Sequence, residues 1–329
     1  MSFAPKVLVT GANGFIGEAL LPILDQAGFH VIAGTRDGRE LPHAGTAVAL
    51  GDMSATDWAP PDLSAVDAVV HLAAIAHRGG IEKTTYQQVN AKAPIRLAKA
   101  ATKADCAQFI FLSTAKVLGD TSPANQAFED RTPPNPPDAY STAKHTAEKQ
   151  IELVAADSNM TTINLRPPLV YGANPSGNLA SLLSAIQRRG VTPLRLPLPL
   201  ANTQNHRSLI SLESLCHAIV NALKHPVPRS GSYLLADKPA ISTSDLVRAL
   251  AEGLGQRPPM FNVSPALLRA VLRLAGKTSL ADRLLGDFVI KSDGFERDYD
   301  WAPRPDTLGG LRAMATGWAE SLQHRGADR

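Results

Sequence analysis

The chain has 329 residues, 44% of them hydrophobic and 19% charged, enough to bury one large core or two interlocked ones. Its net charge is +3, with acids and bases mixed throughout, which excludes a nucleic-acid-binding stripe or a polybasic membrane patch. No apolar run approaches the ~20 residues of a membrane span, and Met1 leads straight into a strand with no room for a signal peptide. Cys106 and Cys216 sit in apolar, helical-looking segments. They read as reduced core residues of a cytoplasmic protein, and no spacing suggests a metal site.

Lys6 to Thr10 is a β-branched run that predicts a strand. Gly11-Ala12-Asn13-Gly14-Phe15-Ile16-Gly17 breaks it, and an apolar helix to about Ala27 follows. Glycines at a strand-to-helix turn let the backbone approach a pyrophosphate, while the helix start supplies N–H donors and positive potential. Gly11, Asn13, Gly14, Phe15, Ile16 and Gly17 are therefore candidate dinucleotide contacts. The spacing is G-x-x-G-x-x-G rather than the better-known G-x-G-x-x-G.

His30 to Thr35 is the second strand. An NAD enzyme usually carries an acid near this strand's end, to hold the ribose hydroxyls. Here Arg36 stands there, placed to meet a 2′-phosphate, which favours NADP. Asp37, slightly late, keeps NAD open. After a third strand, Ala47 to Leu50, Asp52 can accept from an adenine amino group with Met53 against the ring. It can equally be a turn or cap aspartate. A fourth strand runs from Ala68 into Leu72-Ala73-Ala74, small residues that leave space for a cofactor; His71 within it reads as a packed structural histidine. A helix from about Thr84 to Ala104 carries Asn90, facing either sheet or solvent. The fifth strand, from Gln108, ends in two hydroxyls, Ser113 and Thr114, where ligands meet parallel sheets.

The prolines between Thr132 and Pro137 fix the approach to a helix bearing Tyr140 and Lys144. Four residues apart, these lie on one helix face. A nearby cation favours a phenolate, so the expected tyrosine pKa is lowered from about 10 toward neutrality. A sixth strand covers Thr161 to Arg166. Beyond Tyr171-Gly172 the pattern loosens into helices near 178–189, 211–224, 242–254, 264–275, 279–285 and 306–322, with one short strand at Ser232 to Leu235.

The alternation predicts an α/β fold: a doubly wound parallel Rossmann sheet with a smaller, mostly helical C-terminal substrate-binding part. The dinucleotide-binding domain is expected over 1–171, with the chain returning to it at about 208–236. Residues 172–207 and 237–329 form the substrate-binding part. Pro265 to Ala275 is amphipathic, with Arg269 and Arg273; core packing with solvated arginines is expected, and a helix lying on a bilayer is the alternative.

Six stretches taken together resemble the extended short-chain dehydrogenase/reductase family. They are Thr10 to Gly17, His71 to Ala74, Val89-Asn90, Leu112 to Thr114, Tyr140-x-x-x-Lys144 and Arg166 to Gly172. Together with His206 to Ile210 and Ser242 to Leu246, they look like a sugar-nucleotide branch of 4-epimerases and 4-keto-6-deoxy-hexosamine reductases. The resemblance implies that Tyr140 is the acid/base and that Lys144 binds the nicotinamide ribose. It places the hydrogen bond to the reacting oxygen on Thr114, with Ser113 as second candidate. It further implies Asn90 and Pro167 in the cofactor site, and Arg207, Lys116 and Asn178 around the substrate, Arg207 on its diphosphate. Leu118 departs from the family, where many members have an aromatic.

The expected function is NADPH-dependent reduction of a 4-keto-6-deoxy-hexosamine carried on UDP or on a lipid diphosphate, in surface-polysaccharide synthesis. An NAD-dependent UDP-sugar 4-epimerase shares every catalytic residue and is the alternative; a non-catalytic dinucleotide sensor is the remote one. The resemblance also implies a homodimer, working in the cytoplasm or at the inner face of the membrane.

Overall fold

The computed structural model describes residues 4–327 except 77–79, 124–125, 176, 192–197, 258–259 and 305. Its strands are β1 (Lys6–Thr10), β2 (His30–Thr35), β3 (Thr46–Ala49), β4 (Ala68–His71), β5 (Gln108–Leu112), β6 (Thr161–Arg166), β7 (Leu169–Tyr171), β8 (Leu209–Ser211) and β9 (Gly231–Leu234). Seven form one sheet in the order β3-β2-β1-β4-β5-β6-β9, every pair parallel, while β7 and β8 pair separately.

Successive strand residues point to opposite faces, and both faces of this sheet are covered. Val7 and Val9 of β1 join one core cluster with Val70, Ile110 and Leu165; Leu8 joins the other with Val69, Phe109 and Phe111. That is why these strands read as continuous apolar runs rather than alternating ones.

The helices are α1 (Phe15–Gln26), α2 (Lys83–Tyr86), α3 (Ala93–Lys103), α4 (Ala139–Ala155), α5 (Gly177–Val191), α6 (Leu212–Lys224), α7 (Thr243–Gly253), α8 (Pro265–Leu274), α9 (Thr278–Leu285), α10 (Asp293–Tyr299) and α11 (Thr307–Ala327). Leu20, Leu24 and Leu215 bring α1 and α6 onto one face of the sheet; Leu97 and Ile151 bring α3 and α4 onto the other. A third cluster, with Leu183 of α5, Leu250 of α7 and Leu311 of α11, holds the C-terminal part. The helix expected from Thr84 onward is interrupted by a π-helical turn, Gln87–Lys92, between α2 and α3.

The strand order places the site. After β3 the chain crosses back to the far side of β1, so the loops leaving β1 and β4 diverge and open a crevice at the carboxyl ends of the strands.

One expectation is overturned. Helix α8 has no buried residue. Leu268 leans on the third cluster, but Leu267, Val271 and Leu274 are 59%, 53% and 90% exposed. The core there is already filled by α5, α7 and α11, which leaves α8 outside, resting on α9. Among the described residues, no helix is long and apolar enough to cross a membrane.

Candidate active site

The turn after β1 is built for close approach. Gly11 has φ +67°, and a Cβ there would lie 2.8 Å from the Ala73 nitrogen, so the two loops flanking the crevice touch at this point. Gly17 sits where a Cβ would come within 2.4 Å of the Gly11 carbonyl oxygen. Helix α1 begins at Gly14 with no side-chain cap, whereas Asp138, Ser211 and Ser242 cap α4, α6 and α7. The first-turn N–H groups of α1 are the donors a pyrophosphate takes. Asn13, Phe15 and Ile16 line this turn half-buried.

Thr10 ties the two loops together. Its hydroxyl hydrogen-bonds His71 Nδ1 at 2.8 Å and accepts from the Ala73 N–H at 3.3 Å. His71 is fully buried and stacks on Phe111, with centroids 5.9 Å apart. Burial, then the Lys144 charge, pushes its pKa down to about 3, so it is a neutral packing residue, as the sequence suggested. Asn90 faces inward. Its amide nitrogen donates to the Ile75 carbonyl at 2.9 Å and its oxygen accepts from the Ile75 N–H at 2.8 Å. It braces the segment that follows Leu72, Ala73 and Ala74.

Arg36 stands exposed at the tip of β2, 3.9 Å from Asp52. Asp52 accepts from the Ser54 N–H at 3.0 Å and its hydroxyl at 2.8 Å, which shapes a turn. Met53 packs in the core with Leu50 and Trp58.

Thr114 leaves β5 in extended conformation and caps the short turn Ala115–Leu118, its hydroxyl accepting from the Lys116 N–H. The same hydroxyl pairs with the Tyr140 phenol. Ser113 is buried, on the Glu148 side, while Thr114 is half-buried. Tyr140 sits in the first turn of α4, set by a reciprocal cap in which Asp138 accepts from the Ser141 N–H at 2.8 Å. Lys116 Nζ reaches Asp138 at 2.5 Å and Asp120 at 3.1 Å, so it fixes the start of this helix. The buried Pro167 carbonyl accepts from the Ala115 N–H at 2.9 Å, locking the exit of β6 against the Thr114 turn.

One helical turn on, Lys144 is 2% exposed. Its Nζ donates to the Leu112 carbonyl at 2.8 Å and lies 4.6 Å from the Phe111 ring centre. Burial pushes its pKa down to about 7, opposed by the Glu148 charge. Glu148 itself is held below the usual carboxylate range despite burial, by a two-pronged bond to Arg166 at 2.9 and 2.7 Å.

The expected lowering of the tyrosine pKa is not what this chain produces. Burial pushes Tyr140 up to about 12; the Thr114 hydrogen bond opposes this, and the Asp138 charge adds to it. Desolvation leaves the lysine charged only up to about pH 7, and its charge does not offset the burial of the phenol.

Arg207 is half-buried. It donates to the Gly286 carbonyl at 3.1 Å and lies 5.5 Å from the Phe288 ring. Burial, then the nearby Arg283, pushes its pKa down. The charges of Asp120 and Asp287 oppose this; sequence reading missed Arg283, which no motif marks. A groove of about 510 Å³ is lined by His206, Asp287, Glu129 and Lys291 among others, and Arg207 is not part of its lining. Leu118 is buried in a cluster with Phe128 and Phe288. The Asn178 side chain lies outside the described residues. Among the described residues no cluster could hold a metal ion.

Comparison with known proteins agrees with this arrangement. The NAD dependent epimerase/dehydratase family matches residues 7–236. A UDP-glucose 4-epimerase of Vibrio cholerae is 32% identical over 311 residues, covering 92% of each chain. Among solved structures, MoeE5 in complex with UDP-glucuronic acid and NAD has a TM-score of 0.76 at 22% identity, covering 96% of this chain and 100% of that one. UDP-glucuronic acid 4-epimerase from Bacillus cereus, in complex with NAD, has a TM-score of 0.74 at 20% identity, covering 98% of both. With its uncapped glycine turn, its parallel sheet and its Thr114–Tyr140–Lys144 arrangement, the chain belongs to the NAD-dependent epimerase/dehydratase family, within the extended short-chain dehydrogenases/reductases.

Proposed function

We propose that this chain reduces C4 of a 4-keto-6-deoxy-hexosamine carried on UDP or a lipid diphosphate, with NADPH. The observation that carries the chemistry is the Tyr140 phenol hydrogen-bonded to Thr114, one helical turn from the buried Lys144.

The residues present fit a dinucleotide. The α1 N-terminus and Gly11 to Gly17 receive its pyrophosphate, Leu72 to Ala74 border its path, Arg36 meets a 2′-phosphate, and Lys144 reaches its ribose. When bound, the nicotinamide supplies the hydride. The chain does the rest. Thr114 holds the C4 oxygen, and Tyr140 protonates it. A phenol with a pKa near 12 keeps its proton through the neutral range, so it stands ready as an acid, the role reduction requires. Lys144 places a cation beside the developing alkoxide. Arg207 and Arg283 hold the diphosphate. The buried thiols of Cys106 and Cys216 suit a reducing, cytoplasmic setting. Homodimerisation belongs to the same reading and is measured by sedimentation.

One observation favours a second reading, UDP-sugar 4-epimerisation with retained NAD: the name of the Vibrio cholerae relative, matched over 92% of each chain. The test is to denature purified protein, identify any released nucleotide, and assay two reactions. A reductase consumes NADPH in step with a UDP-linked 4-keto sugar. An epimerase releases bound NAD and interconverts UDP-glucose and UDP-galactose without added cofactor. Turnover of neither substrate overturns both readings.

A further inference from the structure

The helical hairpin α8–α9 presents a face the sheet and its core do not use. Leu267, Val271 and Leu274 lie at i, i+4 and i+7, hence in one row, and all are more than half exposed. Phe261 before the helix and Leu280 in α9 are exposed as well, at 44% and 37%. A row this long of large apolar side chains in water marks an interaction site.

Its charge is equally one-sided. Between 257 and 283 the chain carries five cations, Arg257, Arg269, Arg273, Lys277 and Arg283, against one acid, Asp282. That local excess exceeds the net +3 of the whole chain, so charge that looked evenly mixed along the sequence is concentrated here. Arg269 turns inward, pairing with Asp282 at 3.6 Å and donating to the Leu285 carbonyl at 3.1 Å, which pins α8 to α9. Arg257, Arg273, Lys277 and Arg283 are exposed.

We propose that the α8–α9 hairpin is a docking surface for an anionic phospholipid bilayer, with Leu267, Val271 and Leu274 entering the headgroup boundary and Arg273 and Lys277 meeting lipid phosphates. An apolar row bordered by exposed cations is the pattern of a helix that lies in a membrane interface. A second copy of the chain fits worse, because it would bring two strongly cationic faces together. Docking also sets the substrate side at the membrane surface, since Arg283 of α9 neighbours Arg207. The proposal stands apart from the choice of sugar, because vesicle binding is read without any substrate.

The experiment is co-sedimentation of the full chain with sucrose-loaded vesicles of phosphatidylcholine alone or mixed with phosphatidylglycerol. The expected result is pelleting with the phosphatidylglycerol vesicles only, reversed near 1 M salt, where screening reaches about 3 Å. Leu267→Glu with Leu274→Glu should lower binding at least tenfold with an unchanged unfolding midpoint, since both positions are exposed. Arg273→Gln with Lys277→Gln should lower it about 25-fold, from roughly fivefold per charge. No pelleting of the native chain, equal pelleting with phosphatidylcholine alone, or variants that bind like the native chain overturn the proposal. So does self-association, in place of vesicle binding, that disappears in the Leu267→Glu/Leu274→Glu variant.

Discussion

The ammonium of Lys144 ends on the main-chain carbonyl of Leu112, 2.8 Å away, and the next two residues of the chain are Ser113 and Thr114. A cation is thereby stationed at the end of β5, one helical turn from Tyr140, at a cost in stability. The folded chain releases the Lys144 proton near pH 7, while the unfolded chain keeps it to about 10.5. Between those values the unfolded state binds more protons, so this lysine's penalty is full below pH 7 and fades as pH rises toward 10.5. Lys144→Met should therefore raise the unfolding midpoint of the cofactor-free protein, most at pH 6, with the gap closing in alkali. Turnover should fall at least about 10²-fold. Melting curves across the pH range decide it: a lowered midpoint at pH 6 contradicts the assignment of the cation to function over stability.

Tyr140→Phe removes one oxygen and keeps the ring in its edge contact with Tyr86, 5.9 Å between centroids. Turnover should drop by about 10³-fold, within the span that a positioned acid contributes, while the unfolding midpoint stays close to native. Thr114→Ser keeps a hydroxyl for the phenol and for the Lys116 N–H and should retain most activity; Thr114→Ala should not. Near-native turnover in Tyr140→Phe would sink the assignment.

The sheet and the shared helix face of Tyr140 and Lys144 were legible in the sequence because each is a local pattern. Apolar runs such as Val7-Leu8-Val9 announce strands covered on both faces, and Tyr140 and Lys144 share a helix face by spacing alone. What stayed hidden depends on chain segments far apart. The direction of the Tyr140 pKa follows from burial under the folded loops. The orientation of Asn90 is fixed by its grip on Ile75. The approach of Arg283 to Arg207 joins two segments more than seventy residues apart. The solvent position of α8 was hidden for a different reason: its amphipathic pattern is the same whether the apolar row meets a core or a bilayer.

Gly17 tests the turn itself. A methyl group there would press 2.4 Å from the Gly11 carbonyl oxygen and 2.5 Å from that of Ala12, both backbone atoms that cannot swing aside. Gly17→Ala should destabilise by about 1–3 kcal/mol, as overpacking does, and weaken dinucleotide binding at least tenfold. Gly317, in α11, has open space where its Cβ would go, so Gly317→Ala should be neutral or stabilising. Titration of both variants with NADPH and NADH checks the contrast. Equal affinity in the two would show that the turn tolerates a side chain and does not cradle the pyrophosphate.

Arg36 tests which dinucleotide the chain takes. Its guanidinium is 79% exposed and only 3.9 Å from Asp52, an ion pair too solvated to matter much for folding. On the proposed reading Arg36 meets the ribose 2′-phosphate from the tip of β2, where a forked cation binds two oxygens. Arg36→Ala should raise KM for NADPH at least tenfold, leave KM for NADH unchanged and leave the unfolding midpoint within about 0.5 kcal/mol of native stability. Parallel kinetics with the two cofactors give the answer. If both KM values move together or neither moves, Arg36 is not reading the phosphate, and the chain's chemistry shifts toward retained NAD and epimerisation.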